Sequence, residues 1–250
     1  MTDREERFLR EHFRAEAEYR AAVSRLEAGE PLAYIIGEWY FWRQTYRVSP
    51  DVLIPRSDTE LLVEKLTCLL PENGRFLDLC TGSGCIAISS LCERPDVSAD
   101  AVELCVGAAD VARCNAEDNG VSNRLCIFCA DAMSSGCIEQ LRSANGLSDK
   151  IYDVIVSNPP YIRTDVIDTL SEQVKREPRA ALDGGKTGMD FYDMFLSVYP
   201  SLLKDGGAFL FEIGYDQANC IRAVASSHGA KTCDIYKDYG GNDRVALIKF

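Results

Sequence analysis

The stretch "RFLDLCTGSGCIAIS" (residues 75–89) decides the fold. An apolar run with one acid, Asp78, breaks into a glycine-rich turn, and a second apolar run follows at helical spacing. Gly82 and Gly84 permit turn angles that a Cβ forbids, and they let a ligand approach the backbone closely. Strand, glycine turn and helix in that order begin a wound α/β sheet. Further strands are expected at 97–104, 124–130, 151–157, 207–213, 231–236 and 244–250. Helices are expected at 84–93, 106–119, 188–203 and 216–228. The alternation predicts an α/β fold with a doubly wound, mostly parallel seven-stranded sheet and helices on both faces. Ligands of such sheets bind beyond the carboxyl ends of the strands, near the switch in strand order.

Upstream, residues 3–28 read as a single helix, with Leu9, Phe13, Tyr19, Val23 and Leu26 on related faces and a stop at Gly29 and Pro31. "EWYFW" and "TYRVS" predict a short aromatic hairpin over 38–49, with Trp39, Tyr40, Phe41 and Trp42 as its packing. "SDTE" (57–60) reads as a capping box, Ser57 with Glu60, before the helix "LLVEKLTCLL". Two regions are expected: residues 1–50, helix plus hairpin, and residues 51–250, the α/β domain.

Composition narrows the class. The chain has 250 residues, 46% of them apolar, which is ordinary globular texture. No apolar run approaches the ~20 residues that cross a bilayer. The charged N-terminus lacks the apolar core of a signal peptide, so a cytoplasmic protein is expected. Against 39 acidic residues stand 27 Lys and Arg, a net charge of -12, which disfavours nucleic acid as a direct substrate. Eleven scattered cysteines read as reduced small hydrophobes, with Cys68, Cys80, Cys92, Cys126 and Cys129 in apolar runs. "CIFC" has the C-x-x-C spacing, but in a strand its two thiols point to opposite faces, so no metal site is expected.

At the strand ends the sequence places Asp78, Glu103, Asp131 and Asn158. Glu103 falls nineteen residues after Gly84, where an acid can accept from both ribose hydroxyls. "GSGCIA" also satisfies the dinucleotide fingerprint, so a nicotinamide-dependent oxidoreductase is one reading. Three carboxylates at one mouth, however, repel a pyrophosphate and favour an adenosine with a cationic group. S-adenosylmethionine has that character.

"VSNPPYI" (156–162) ends the fourth strand with two rigid imino acids. The proline after Asn158 keeps that residue out of the helical region. The two rings stiffen the backbone that carries the Pro159 carbonyl. Asn158 Oδ1 and that carbonyl are thus two fixed acceptors for a planar NH2 group. Tyr161 is expected to lay its ring against the bound amide or base. Glu212 and Asp216 flank the fifth strand end, whereas His12 and His228 fall far from these motifs.

An "NPPY" after an acidic glycine-rich loop resembles class I S-adenosylmethionine-dependent methyltransferases acting on planar nitrogen. "PLAYIIGEWYFW", "VLIPRSDTELLVE", "VSNPPYI", "EPRAALDGGKTGMDFYDMF" and "LFEIGYDQ", in that order from Pro31 onward, resemble the release-factor glutamine N5-methyltransferase family. The resemblance implies a Rossmann-like domain, S-adenosylmethionine as cofactor, and as substrate the Gly-Gly-Gln glutamine of bacterial peptide-chain release factors, met by a monomer. Carried onto this sequence, the cofactor site is Asp78, Cys80, Thr81, Gly82, Ser83 and Gly84, with Glu103 on the ribose. Asp131 and Ala132 border the adenine, while Asn158, Pro159, Pro160 and Tyr161 hold the glutamine amide and Asn158 also borders the cofactor. "PRSDTE" is placed on the substrate side. The sequence departs from the family pattern at four points: Cys80 where glycine is frequent, Glu103 where aspartate is commoner, Ala132 where some members have a large residue, and a front end read as one helix instead of a multi-helix docking domain. Rival readings are methylation of a ribosomal-protein glutamine or a nucleobase amino group, a dehydrogenase, and a non-catalytic cofactor-binding adaptor.

Overall fold

A computed structural model describes residues 2–146 and 148–250. In chain order the elements are α1 (Asp3–His12), α2 (Glu16–Glu27), α3 (Leu32–Ile36), β1 (Glu38–Phe41), β2 (Gln44–Arg47), α4 (Glu60–Leu69), β3 (Arg75–Leu79), α5 (Cys85–Glu93), β4 (Ser98–Glu103), α6 (Val106–Asp118) and β5 (Leu125–Cys129). There follow α7 (Ser135–Ala144), β6 (Tyr152–Ser157), α8 (Thr164–Ile167), α9 (Asp190–Val198), β7 (Leu203–Glu212), α10 (Ala218–Ser227), β8 (Thr232–Lys237) and β9 (Asp243–Lys249).

The seven-stranded sheet has the order β5-β4-β3-β6-β7-β9-β8, parallel except that β9 runs antiparallel to both its neighbours. From β3 the chain winds one way through β4 and β5, then crosses back to β6 and winds the other way. The reversal falls between β3 and β6, where Asp78 pairs in register with Val156. β3 is buried beyond its first residue, because helices cover both faces of a parallel sheet. One apolar cluster joins α4 and α5 to one face, and a second joins α7, α9 and α10 to the other. Among the described residues no helix is long and apolar enough to cross a membrane.

Four expectations need correction. The single helix over 3–28 is two: the chain turns extended at Phe13 and Ala15, and Thr2 with Glu5 caps the first helix. On one straight helix Leu9 and Leu26 would stand about 25 Å apart. The bend instead brings both into a small core with Tyr19, Ala22 and Ile35. The Ser57–Glu60 capping box does not form, for residues Ser57–Thr59 make a 3-10 turn without a side-chain cap. Glu60 instead accepts the Trp42 amide at 2.8 Å, an N–H turned aside by the positive φ (57°) of that hairpin residue. Helix α7 lies where no helix is expected, its apolar face of Cys137, Ile138 and Leu141 broken up in sequence by serines and Gly136. Finally, Cys68, Cys126 and Cys129 are exposed and Cys80 and Cys92 half-buried, while Cys85 and Cys137 are the buried thiols. β5 is an edge strand, so its cysteines meet solvent.

Of the hairpin aromatics, Phe41 is buried and Trp39 and Trp42 pack half-buried against apolar clusters, whereas Tyr40, expected to pack, is exposed because it points to the solvent face of the two-stranded hairpin. Phe41 and Tyr46 are buried and meet edge to face, and Tyr46 Oη bonds Ser89 Oγ of α5 at 2.6 Å.

Candidate active site

A cavity of about 250 Å³ opens at the carboxyl ends of β3, β4 and β6. Cys80, Thr81, Gly82, Ser83, Glu103, Asp131, Ala132, Asn158 and Pro160 line it together. Asp78, Gly84, Pro159 and Tyr161 are not among its lining residues.

The loop after β3 shows why its residues stand where they do. Cys80 has a φ of 60°, in the left-handed region that favours glycine, and its half-buried side chain packs against the α9 side of the core. Gly82 and Gly84 follow with φ of 56° and 82°. The positive φ at Gly84 favours glycine, and a Cβ there would stand 2.8 Å from Ile88 Cδ1, which would have to shift. Thr81 donates its hydroxyl to Asp78 Oδ2 at 2.6 Å, and burial pushes the Asp78 carboxyl up to about 7. Asp78 thus acts beneath the loop, holding it from behind.

Glu103 faces the same loop. Its Oε2 accepts the Gly82 N–H and its Oε1 the Cys105 N–H, each at 2.9 Å. The carboxylate is therefore fixed at the mouth with lone pairs left for a ligand hydroxyl. Asp131 is braced by the Met133 N–H at 2.8 Å, and buried Ala132 offers its carbonyl to the Tyr199 hydroxyl at 2.8 Å. With alanine at position 132, the floor under this end of the cavity stays open.

On the far side stands the Asn158–Pro160 platform. Ser157 Oγ donates to the Leu79 carbonyl at 2.6 Å and ties the ends of β6 and β3 together. Asn158 Nδ2 donates to Thr59 Oγ1 at 3.2 Å, which turns Oδ1 away from Thr59. Tyr161 departs from expectation: its ring lies behind the platform, packed against the core, with its hydroxyl donating to Glu212 Oε1 at 3.2 Å. Gln217 Nε2 holds the Tyr161 carbonyl at 2.9 Å and so fixes this orientation.

Several lining groups come from segments that residue types alone did not mark. A strap over residues 177–185 closes one wall. Buried Glu177 accepts the Ile54 N–H at 3.0 Å and pairs with the Arg56 guanidinium. Ile162 and residues 182–184 exchange two backbone hydrogen bonds, Ile162 N–H to Leu182 O (3.0 Å) and Gly184 N–H to Ile162 O (2.8 Å). Pro55, Arg56 and Thr59 of "PRSDTE" line the cavity, as does Phe191. Asp216, His12 and His228 do not; His12 lies near Glu38 and His228 bonds Asp193.

The charge pattern selects a ligand class. Arg56 is the lining residue with positive charge, and Glu177 neutralises it, whereas Asp51, Glu103 and Asp131 remain around the mouth. Such a field suits a cation and repels a pyrophosphate. An apolar floor with a fixed carboxylate beside it fits an adenosine whose ribose meets Glu103. The residues present therefore fit S-adenosylmethionine better than a dinucleotide.

Known proteins resemble this chain in sequence and in fold. Residues 56–189 match the family described as Methyltransferase small domain. A release factor glutamine methyltransferase of Caulobacter vibrioides is 38% identical over 228 residues, covering 90% of this chain and 75% of that protein. Its counterpart in Salmonella typhimurium is 37% identical over 231 residues, covering 91% and 78%. Among solved structures, a methyltransferase from Pyrococcus furiosus superposes with a TM-score of 0.58 at 21% identity, covering 81% of this chain and 86% of that one, a likeness of fold.

Proposed function

The chain belongs to the release factor glutamine methyltransferase family, and on that premise we propose that it methylates the side-chain amide nitrogen (N5) of the Gly-Gly-Gln glutamine in peptide-chain release factors, with S-adenosylmethionine as donor. The observation that supports this most is the pairing, in one cavity, of a carboxylate-rimmed cofactor end with the Asn158 platform.

Bound there, S-adenosylmethionine supplies an electrophilic methyl group. Glu103 would hold the ribose hydroxyls, Asp131 and Ala132 would border the adenine, and the Cys80–Gly84 loop would follow the amino-acid portion. Asn158 Oδ1 at the cavity wall, and the carbonyl of Pro159 next to it in the chain although outside the lining, would accept the two N–H groups of the glutamine amide. Their directions fix the amide plane and so aim the nitrogen, which confines the acceptor to a productive geometry. Their dipoles also stabilise positive charge as it grows on that nitrogen. Leu53, Pro55, Pro178 and Ala181 present apolar surface to the cavity and keep water from the acceptor. Docking of the factor is assigned to the region of residues 1–50, beside this transfer domain of residues 51–250.

Replacing Glu103 with alanine is expected to weaken S-adenosylmethionine binding by ~10- to 100-fold, the worth of one or two hydrogen bonds to a charged group. At saturating cofactor kcat should change little. Calorimetric titration checks this, and an unchanged affinity would contradict the ribose assignment. The function itself is tested by incubating a purified release factor with the enzyme and S-adenosylmethionine and weighing its peptides. The mass of one CH2 group should appear on the peptide with the Gly-Gly-Gln motif. Methyl label recovered in RNA or a ribosomal protein, with none in the factor, would reject the substrate assignment.

A further inference from the structure

Behind the Asn158 platform lies a buried carboxyl that the transfer chemistry leaves unused. Glu212 ends β7 and is 2% exposed. Its Oε1 accepts the Tyr161 hydroxyl, and its Oε2 is buried without a partner of full hydrogen-bond geometry. The Thr59 hydroxyl bears on the same carboxyl and favours its ionised form, although no hydrogen bond of full geometry joins the two. Thr59 Oγ1 is also the atom that receives Asn158 Nδ2. The three side chains thus form a row, Glu212 to Thr59 to Asn158, that runs from the interior to the cavity.

The row has a polarity. The two ends of an asparagine amide are nearly the same shape, yet only the oxygen can accept from a substrate NH2. Thr59 has one hydroxyl proton to give. An ionised Glu212 can only accept, so that proton goes to Glu212 and an Oγ1 lone pair is left for Asn158 Nδ2. Oδ1 then faces the cavity. If Glu212 takes up a proton, it can donate to Thr59, whose own proton is freed for Asn158 Oδ1. The amide would then present N–H to N–H, and the acceptor would be repelled.

We propose that Glu212 is a positioning residue which, through the Thr59 hydroxyl, turns the Asn158 amide so that its oxygen faces the glutamine NH2; this rests on the methyl-acceptor reading above. Titratable and charged groups face Glu212 from five neighbouring elements, among them Tyr192 of α9, whose hydroxyl donates to the Glu212 carbonyl at 2.7 Å, and the buried Cys85 thiol of α5. Tyr161 comes from the platform, Asp58 and Thr59 from the turn before α4, and Arg244 from β9, itself paired with Asp58 at 3.3 Å and Asp238 at 3.2 Å. Burial raises the Glu212 carboxyl to about 7, against the opposing pull of Thr59, Arg244 and Tyr161. Since the ionised form is the competent one, kcat falls as pH drops through this region.

The test measures kcat against pH at saturating factor and S-adenosylmethionine. Saturation separates Glu212 from Asp78, which is raised to a similar value but lies beneath the cofactor loop. In the wild type kcat should fall in inverse proportion to proton concentration as pH drops well below neutrality. In Glu212→Gln this acid limb should vanish while S-adenosylmethionine affinity stays within about twofold, since the group removed makes no cofactor hydrogen bond. Thr59→Val, nearly isosteric, should lower kcat by ~10-fold, the worth of one hydrogen bond, and abolish the same limb. Thr59→Ser should restore both. The double variant should lose no more than Thr59→Val alone, because both changes break one row. A retained acid limb in either variant, or a wild-type kcat in Thr59→Val, would overturn the positioning role; Thr59→Val decides alone if Glu212→Gln does not fold. Absence of transfer by the wild type would remove the acceptor reading and the positioning role with it. Wild-type transfer with unaffected variants would remove only the latter.

Discussion

Alanine at position 158 is expected to lower kcat by ~10²-fold or more, the usual cost of removing one preorganised polar contact at a reacting centre. The affinity for S-adenosylmethionine should stay within about threefold, because Glu103 and the Gly82 loop hold each other without help from Asn158. Two acceptors fix a plane, whereas one allows the amide to rotate about a single hydrogen bond. The Pro159 carbonyl that remains cannot aim the nitrogen. Thr59 loses its Asn158 contact as well, yet it lies at the cavity wall where water can replace that bond. Stopped reactions at saturating cofactor and factor read the effect directly. A kcat within a few-fold of wild type would deny Asn158 its role.

The second large effect is expected from Gly184→Ala, a change made outside the cavity. A Cβ at this position would stand 2.7 Å from the Pro160 carbonyl oxygen, 2.7 Å from Tyr161 Cα and 2.9 Å from Tyr161 C. All three are backbone atoms, one of the platform and two of the residue that follows it, so no side chain can swing aside to relieve the clash. Either the strap or the platform must move, and the backbone bonds between Ile162 and residues 182–184 join them. Overpacking of this kind costs about 1–3 kcal/mol of stability. A shift of the acceptors by ~1 Å would lower kcat by ~10²-fold. Cofactor binding should persist, since the carboxylate side of the cavity is built on β4 and the β3 loop. Denaturant melts and kinetics on the same preparation separate the two losses. A variant that melts lower but turns over normally would show that the strap does not position the platform.

Much of this arrangement was legible in the sequence, for a physical reason. The residues 75–89 stretch declares itself because a strand buried on both faces must be apolar, and the turn after it needs residues that tolerate positive φ. The sheet order places Asp78 and Asn158 at one reversal because parallel strands all end on the same side. The strand-end acids needed no knowledge of side-chain direction, since any acid at that place faces the mouth or the loop beside it. The resemblance in "VSNPPYI" and its companion motifs narrowed the substrate further than residue chemistry alone.

What stayed hidden depends on side-chain direction and on contacts between distant segments. Thr59 looked like part of a helix start, because Ser57 and Glu60 have the cap spacing; the Trp42 amide, far away in sequence, takes Glu60 instead. Tyr161 looked like an aromatic face for the amide, but Glu212 and Gln217 draw the residue behind the platform. Glu212 itself offered a signal in "GAFLFEI", an acid inside a fully apolar strand, although its partners came from three other segments. The bend at Phe13–Ala15 left no glycine or proline to mark it, and only the contact of Leu9 with the α2 side of the small core explains it.

The central claim is that the cavity seats a release-factor glutamine amide on the Asn158 platform opposite the methyl donor. It is tested most directly by following labelled methyl from S-adenosylmethionine into a release factor and into the same factor with its Gly-Gly-Gln glutamine replaced by alanine. Label should enter the intact factor, reside on the side-chain amide nitrogen, and be absent from the replaced one. Equal labelling of both factors, or label on any other atom, would contradict the account.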